Sequence, residues 1–265
     1  MEKIRVNKSA ERVVDLLVLL AKSELPLTLN EICKQLGLPK SSAFELVQTL
    51  LYKGFIELDD ARLKTYRLGL GVFETGMAYV SNLELPHLAR PLMQELNRQT
   101  GSTVFLGIED KSKVVYLDKA ESYSVMRPTA NLGSRRYIHT TGLGKSLLAA
   151  MSDQRVTHLL GDGDLPSRTV FSKTTLSALL QDLHAIRKRG YSIDDREDNL
   201  EIYCIASAIY DQWNQPAAAI SVASMYASMN EQREQMIVQL VKETALKLSN
   251  QLGYRGQQLY TDLAD

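Results

Sequence analysis

The chain has 265 residues, 45% hydrophobic and 23% charged, with 15 Gly and 7 Pro, which excludes a disordered or fibrous protein and allows one large domain or a small one joined to a larger one. Lys plus Arg and Asp plus Glu number 31 each, so no overall basic field marks a nucleic-acid binder. Residues 1–67 carry eleven cationic against nine acidic side chains and the remainder twenty against twenty-two, so any contact with DNA has to rest on local arrangement.

Cys33 and Cys204 are too few and too far apart for a disulfide framework or a zinc cluster, which points to a reducing, cytoplasmic compartment. The apolar stretch Val13–Ala21 is broken by Asp15 and lacks a small-residue cleavage site after it, so it does not read as a signal peptide. No run approaches membrane-spanning length, and no membrane partner is expected.

In SAERVVDLLVLLAKS, residues 9–23, Val13, Leu16, Leu17 and Leu20 recur at helical spacing and predict an amphipathic helix. TLNEICKQLG follows, with Thr28 and Glu31 at capping-box spacing and Gly37 suited to the left-handed residue past a helix end, so a second helix of about two turns is expected. LPKSSAFELVQTLLYKG predicts a third, with Pro39 at its first position and Gly54 as its stop. Ala43, Leu46, Val47 and Leu50 form the buried stripe of that helix. Ser41, Ser42, Glu45, Gln48, Thr49 and Tyr52 face the other way, hydrogen-bonding side chains of the kind that read base edges.

FIELD and TYRLG then read as short strands around the polar DARLK, which describes a wing directly after a helix-turn-helix. GVFETGMAYVSNL, residues 71–83, predicts a helix linking this unit, residues 1–70, to residues 84–265. Beyond it the pattern predicts a helix over LPHLARPLMQELNRQTG, strands at TVFLGIE, KVVYLDKA and SVMRPTA, and helices over 143–151, 154–160 and 174–189. Strands over 191–194, 202–210 and 217–224 and a last helix over 230–252 complete an α+β domain with a mainly antiparallel sheet.

A winged helix-turn-helix puts its second helix in the major groove and holds phosphates with flanking cations. Lys40 at the helix start and Arg62, Lys64 and Arg67 in the wing are the expected phosphate contacts. Ser41, Ser42, Glu45, Gln48 and Thr49 are the expected base-facing set. The same unit also fits a protein-interaction module, and the pattern alone leaves that open.

HTTGLGKSLLA, residues 139–149, looks like a phosphate loop, but a Walker A motif needs glycine where His139 stands. What remains is a glycine-containing turn at a helix N-terminus. Either its free amides and dipole hold an anion, or Gly142 and Gly144 only permit close packing. His87, His139, His158 and His184 show no metal-ligand spacing, and no Gly-x-Ser-x-Gly motif occurs. No enzyme, metal or cofactor is therefore expected, with transformation of a small molecule kept as the alternative. Asp194, Asp195, Glu197 and Asp198 read as a solvated acidic loop or, alternatively, a cation site.

LTLNEICKQLGLPKSSAFELVQTLLYKGFIE, TYRLGLGVFETG, HTTGLGKSLLA, RKRGYSIDDRED and CIASAIYD follow one another in the order and spacing of the isocitrate lyase regulator (IclR) family. Over residues 9–253 the chain resembles that family. The resemblance implies a winged helix-turn-helix, a linker helix and an effector-binding domain in a bacterial transcription regulator, a repressor or an activator. Its partners would be double-stranded operator DNA and a small effector, an organic or sugar-derived acid, and the chain would form homodimers or dimers of dimers. Carried over by position, the Gly142 and Leu143 amides grip an effector carboxylate, Asp194 accepts from an effector hydroxyl, and Ser221 donates to a carboxylate. Cys204 and Ile202 line the wall. The chain departs from the family pattern at Glu201, where glycine is usual, at Ala208, where proline commonly follows Cys-Ile-Ala-x, and at Glu45, where arginine is common.

Overall fold

In the computed structural model, which describes residues 6–81 and 84–261, the chain parts between Asn82 and Leu83 into two units. In the first, the Asn7 side chain accepts from the Ser9 and Ala10 amides and opens α1 (Lys8–Lys22), which buries Leu16 and Leu20. After β1 (Leu27–Thr28), the Thr28–Glu31 capping box starts α2 (Leu29–Leu36) and Gly37, at φ +63°, ends it. Pro39 caps α3 (Lys40–Tyr52) rather than entering it, and its carbonyl accepts from the Ala43 amide.

The wing is β2 (Ile56–Asp60) antiparallel to β3 (Thr65–Leu68), and β1 adds a third strand through Leu27 opposite Tyr66. Leu16, Leu20, Ile32, Val47, Leu50, Ile56 and Tyr66 make this unit's core. Next comes α4 (Leu70–Ser81); Asn82 and Leu83, the end of the expected linker, lie outside the described residues.

The second unit runs α5 (Glu84–Thr100), β4 (Thr103–Asp110), β5 (Lys113–Ala120), β6 (Arg135–Tyr137), α6 (Gly142–Ala149), α7 (Asp153–Leu160) and α8 (Leu176–Arg189). It continues through β7 (Ser192–Asp195), β8 (Ile202–Tyr210), β9 (Pro216–Met225), a 3₁₀ turn at Tyr226–Ser228 and α9 (Glu231–Gln251). The six strands form one sheet in the order β6-β5-β4-β9-β8-β7, and every neighbouring pair is antiparallel. Met93, Leu96, Val222, Val241 and Leu248 belong to the core that α5 and α9 make on one face, and Phe105, Leu143, Leu147 and Leu183 to the core under α6 and α8 on the other. Strand β9 is buried on both faces, hence its small and apolar run PAAAISVASM.

The expected strand SVMRPTA does not form: residues 124–130 are irregular, and Tyr123, Val125 and Met126 are exposed. With no core surface beneath them, their apolar character gives no strand. The edge strand is instead Arg135–Tyr137, which its two arginines conceal from a hydrophobic pattern. No described helix is long and apolar enough to cross a membrane.

Candidate functional site

Helix α3 buries Ala43, Val47 and Leu50 and leaves Lys40, Ser41, Glu45, Gln48 and Thr49 exposed, with Ser42 half-buried. The Thr49 hydroxyl donates back to the Glu45 carbonyl at 2.8 Å, so its oxygen is left chiefly as an acceptor. Phe44 and Tyr52 are exposed on the same helix. Phe44 was not among the residues expected to face DNA; an apolar ring there offers the kind of contact that a thymine methyl accepts.

At the wing tip Asp60 Oδ1 accepts from the Arg62 and Leu63 amides at 2.6 and 2.8 Å, and Lys64 takes a left-handed φ of +55°. Arg62 and Lys64 have no ion-pair partner among the described residues. Arg67 is already paired, its Nε 2.7 Å from Glu57 and Nη1 3.1 Å from Asp59, so much of its charge is matched within the wing.

In the second unit, strand register builds the floor of a cavity of about 340 Å³. Asp194, Cys204 and Ala223 lie side by side across β7, β8 and β9, and Phe105, Ser221 and Ala206 form the next row. The start of α6 sits over this floor: a Cβ on Gly142 would lie 3.3 Å from that of Cys204 and 3.4 Å from that of Ala206. Gly142, Leu143, Asp194, Ile202, Cys204 and Ser221 all line the one cavity. Thr141 caps α6 by accepting from the Gly144 amide at 3.1 Å, which leaves the Gly142 and Leu143 amides with no intrahelical acceptor.

Sequence reasoning missed Arg127 and Arg136, which line the same cavity together with Tyr116 and Asp198. The two arginines come from the irregular segment and the edge strand, neither of which has a periodic signal. Arg127 lies 3.6 Å from Glu121, while Arg136 has no ion-pair partner among the described residues. Exposed Glu201, the bulky departure from the family pattern, also contributes to the lining.

Two of the loop carboxylates, Asp194 and Glu197, are buried rather than part of a solvated face, which corrects the sequence reading for them, while the Asp195 side chain stays half exposed. Asp194 is 2% and Glu197 3% exposed. Nor do they converge: Asp194 Oδ1 accepts from the Glu197 amide at 2.7 Å, Glu197 meets Lys145 and Lys173, Asp195 pairs with Arg196, and Asp198 accepts from Thr140. Among the described residues no group of three or more His, Cys, Asp or Glu could hold a metal ion. The lysine of the apparent phosphate loop, Lys145, is 1% exposed and bound to Asp182 and Glu197, and buried His139 Nε2 lies 2.9 Å from the Pro166 carbonyl.

Burial, reinforced by the charges of Glu197 and Asp198 and opposed by Lys145, pushes Asp194 up to about 8. With a value about one unit above neutral the carboxyl is mainly protonated at pH 7 and can donate, where the sequence reading assigned it as an acceptor from an effector hydroxyl. Burial likewise pushes the Cys204 thiol up, so it stays a thiol. A carboxyl raised from about 3.9 in the unfolded chain favours folding most below that value, and the contribution is lost as pH rises to the folded value. Asn keeps the Oδ1 acceptor and cannot ionise. The wild type is therefore expected to lose stability relative to Asp194→Asn between about pH 5 and pH 8 in thermal unfolding; a constant difference would return Asp194 to the ordinary carboxylate range.

A winged helix-turn-helix followed by an α+β unit with a polar cavity is the plan of a DNA-binding transcription regulator. Residues 9–60 match the IclR helix-turn-helix domain, and residues 77–250 match the C-terminal domain of bacterial IclR transcriptional regulators. The chain belongs to the IclR family. It is 33% identical over 248 residues to the HTH-type transcriptional repressor AllR of Escherichia coli K12, covering 94% of this chain and 91% of that one. The IclR structure of Thermotoga maritima superposes with a TM-score of 0.80 at 26% identity, over 93% of this chain and 99% of the other. An IclR homologue of Microbacterium hydrocarbonoxydans, complexed with 4-hydroxybenzoate, has the same fold, with TM-score 0.81 and 20% identity over 92% and 98% of the two chains.

Proposed function

We propose that this regulator represses transcription from an operator read by α3 and the wing, and that a small organic acid in the cavity at the start of α6 changes that grip. The observation that carries the reading is that Gly142, Leu143, Asp194, Ser221, Arg127 and Arg136 line one cavity. Two orphan amides at the positive end of a helix, an O–H and a hydroxyl donor, and two guanidinium groups suit a carboxylate. A volume of about 340 Å³ is at the small end for ligand pockets and favours a compact acid. The 4-hydroxybenzoate bound by the Microbacterium homologue is an acid of this class. The ligand switches the protein only if it prefers one state; equal binding to both shifts nothing.

A single head with few unpaired cations makes few phosphate contacts, so the functional form is a homodimer or a dimer of dimers, whose linked heads multiply affinity. Exposed Val14 and Val18 on α1 and Leu70, Phe73 and Met77 on α4 support self-association.

Operator retention across a salt series tests the reading. Lys40→Ala is expected to weaken binding to every duplex and flatten the salt slope by about one unit, whereas Gln48→Ala should cost about 1–3 kcal/mol on the specific site and little on random DNA. A protein that never prefers upstream genomic fragments to random ones, at any ionic strength and with any acid tried, would refute the proposal.

A further inference from the structure

Beside the cavity at the start of α6 lies a second hollow of about 300 Å³, lined by Lys113, Arg135, Arg136, Tyr137, Arg168 and Asp198. Arg136 and Asp198 line both cavities, so the two adjoin. Four of the six residues around the second are cations, and a single carboxylate stands among them.

Strand β6 is the outermost of its sheet, and charge on an edge strand blocks pairing with another chain. That accounts for exposed Arg135, whose guanidinium is already bound to the carboxylate and carbonyl of Asp110. It does not account for Lys113 or Arg136. Lys113 stands on the inner strand β5 opposite Tyr137, half-buried, with its Nζ 3.5 Å from the centre of the Tyr137 ring. It has no carboxylate partner among the described residues, and burial pushes its ammonium down. Arg136 is half-buried too and has neither a hydrogen bond nor an ion pair from its side chain among the described residues. Arg168 Nε is 3.6 Å from Asp198 Oδ1, an ion pair too long for a hydrogen bond, and that oxygen already accepts from Thr140 at 3.0 Å.

A half-buried cation without a partner has given up hydration and gained little in exchange. An anion in the hollow supplies what is missing: the Arg136 fork suits two oxygens side by side, and Lys113 adds a point charge. The first cavity has its own acceptor-seeking groups in the Gly142 and Leu143 amides and Ser221. A monoacid held by those groups leaves the neighbouring cations unmatched.

We propose that the effector carries two acidic groups, one carboxylate at the start of α6 and a second carboxylate or phosphate that reaches past Arg136 to Lys113 and Arg168. This rests on the reading of the first cavity as a carboxylate site. Lys113 and Arg168 then select diacids over monoacids of the same length.

Calorimetric titration of the full chain with malonate, succinate, glutarate and adipate, each beside the monocarboxylate of equal carbon number, tests this, with 3-phosphonopropionate as the phosphate arm. At one length the diacid is expected to bind about tenfold more tightly than its monoacid, the gain from one charge-assisted contact. Lys113→Met keeps the apolar stem on the Tyr137 ring; it should abolish that gain and leave monoacid affinity unchanged. Should that variant not fold, Arg168→Gln, on a separate segment, must give the same selective loss. The tighter of the dicarboxylate and the phosphonate names the second group, and either order supports the proposal.

Equal affinity for diacids and monoacids at every length, or an equal loss of both in Lys113→Met, overturns the proposal and leaves the carboxylate site standing. Ser221→Ala should weaken both classes of acid. If it weakens neither, or if no acid binds, the effector reading fails and this inference with it.

Discussion

Replacing Lys145 with methionine is expected to destabilise the second unit by about 3–5 kcal/mol, because it leaves buried carboxylates without their main counter-charge. Lys145 Nζ lies 2.8 Å from Asp182 Oδ2 and also bonds Glu197, and Lys173 is 3.0 Å from Glu197 and 3.5 Å from Asp182. Glu197 Oε2 already lacks a hydrogen-bond partner, so once Lys145 is gone Lys173 alone pairs with that charge. Methionine fills similar space, which makes the loss one of charge rather than of packing. Burial opposes ionisation of Asp182, but Lys145, Lys173 and Arg189 outweigh it and hold the carboxyl below its usual range. A lowered carboxyl contributes stability above its unfolded pKa and loses it as pH falls through the folded value. The gap between wild type and Lys145→Met should therefore be full at pH 7 and narrow below about pH 4 in urea unfolding; a gap that ignores pH would count against the ion network. Glu197→Gln in the same chain should recover part of the loss, since the orphaned charge goes with it.

The network also has a functional consequence. Glu197 holds the turn whose amide bonds Asp194, and Thr169 and Ser172 donate to the Arg196 and Glu197 carbonyls at 2.6 Å each. Removing Lys145 therefore loosens the wall of the cavity as well as the contact of α6 with the middle of α8 at Asp182.

Local signals were legible in the sequence wherever the physics is local. Thr28, Glu31 and Gly37 fix both ends of α2 through contacts within a few residues, and 3.6-residue periodicity located α1, α3, α8 and α9. The cavity residues were read from the family resemblance, not from spacing; strand register is what brings Asp194, Cys204 and Ser221 to one floor, and register is not written in any single strand. Lys145 and Glu197 are 52 residues apart. Seen separately, one looked like part of a phosphate loop and the other like part of a solvated acidic turn, because each lacked the partner that explains its burial.

Gly144→Ala is expected to destabilise the second unit by about 3 kcal/mol, the upper end for overpacking a closed core. Its Cβ would lie 2.0 Å from the Ile138 carbonyl oxygen and 2.6 Å from the Ile138 carbonyl carbon and Cα, and these are backbone atoms that no rotamer change can move. Ile138 and all of α6 are buried, so relief requires displacing the helix. The melting temperature should fall by about 6–12 °C for a unit of this size. Gly142→Ala meets the Cys204 and Ala206 Cβ atoms at 3.3 and 3.4 Å and the Cys204 carbonyl oxygen at 3.7 Å, contacts that a shift of a few tenths of an ångström relieves, so its stability should stay within about 1 kcal/mol of wild type, while its new methyl narrows the cavity and weakens carboxylate binding. A wild-type melting temperature for Gly144→Ala would mean that the contact with Ile138 is not closed. The two readings of HTTGLGKSLLA, anion grip and close packing, thus fall on different glycines, and the pair of substitutions separates them.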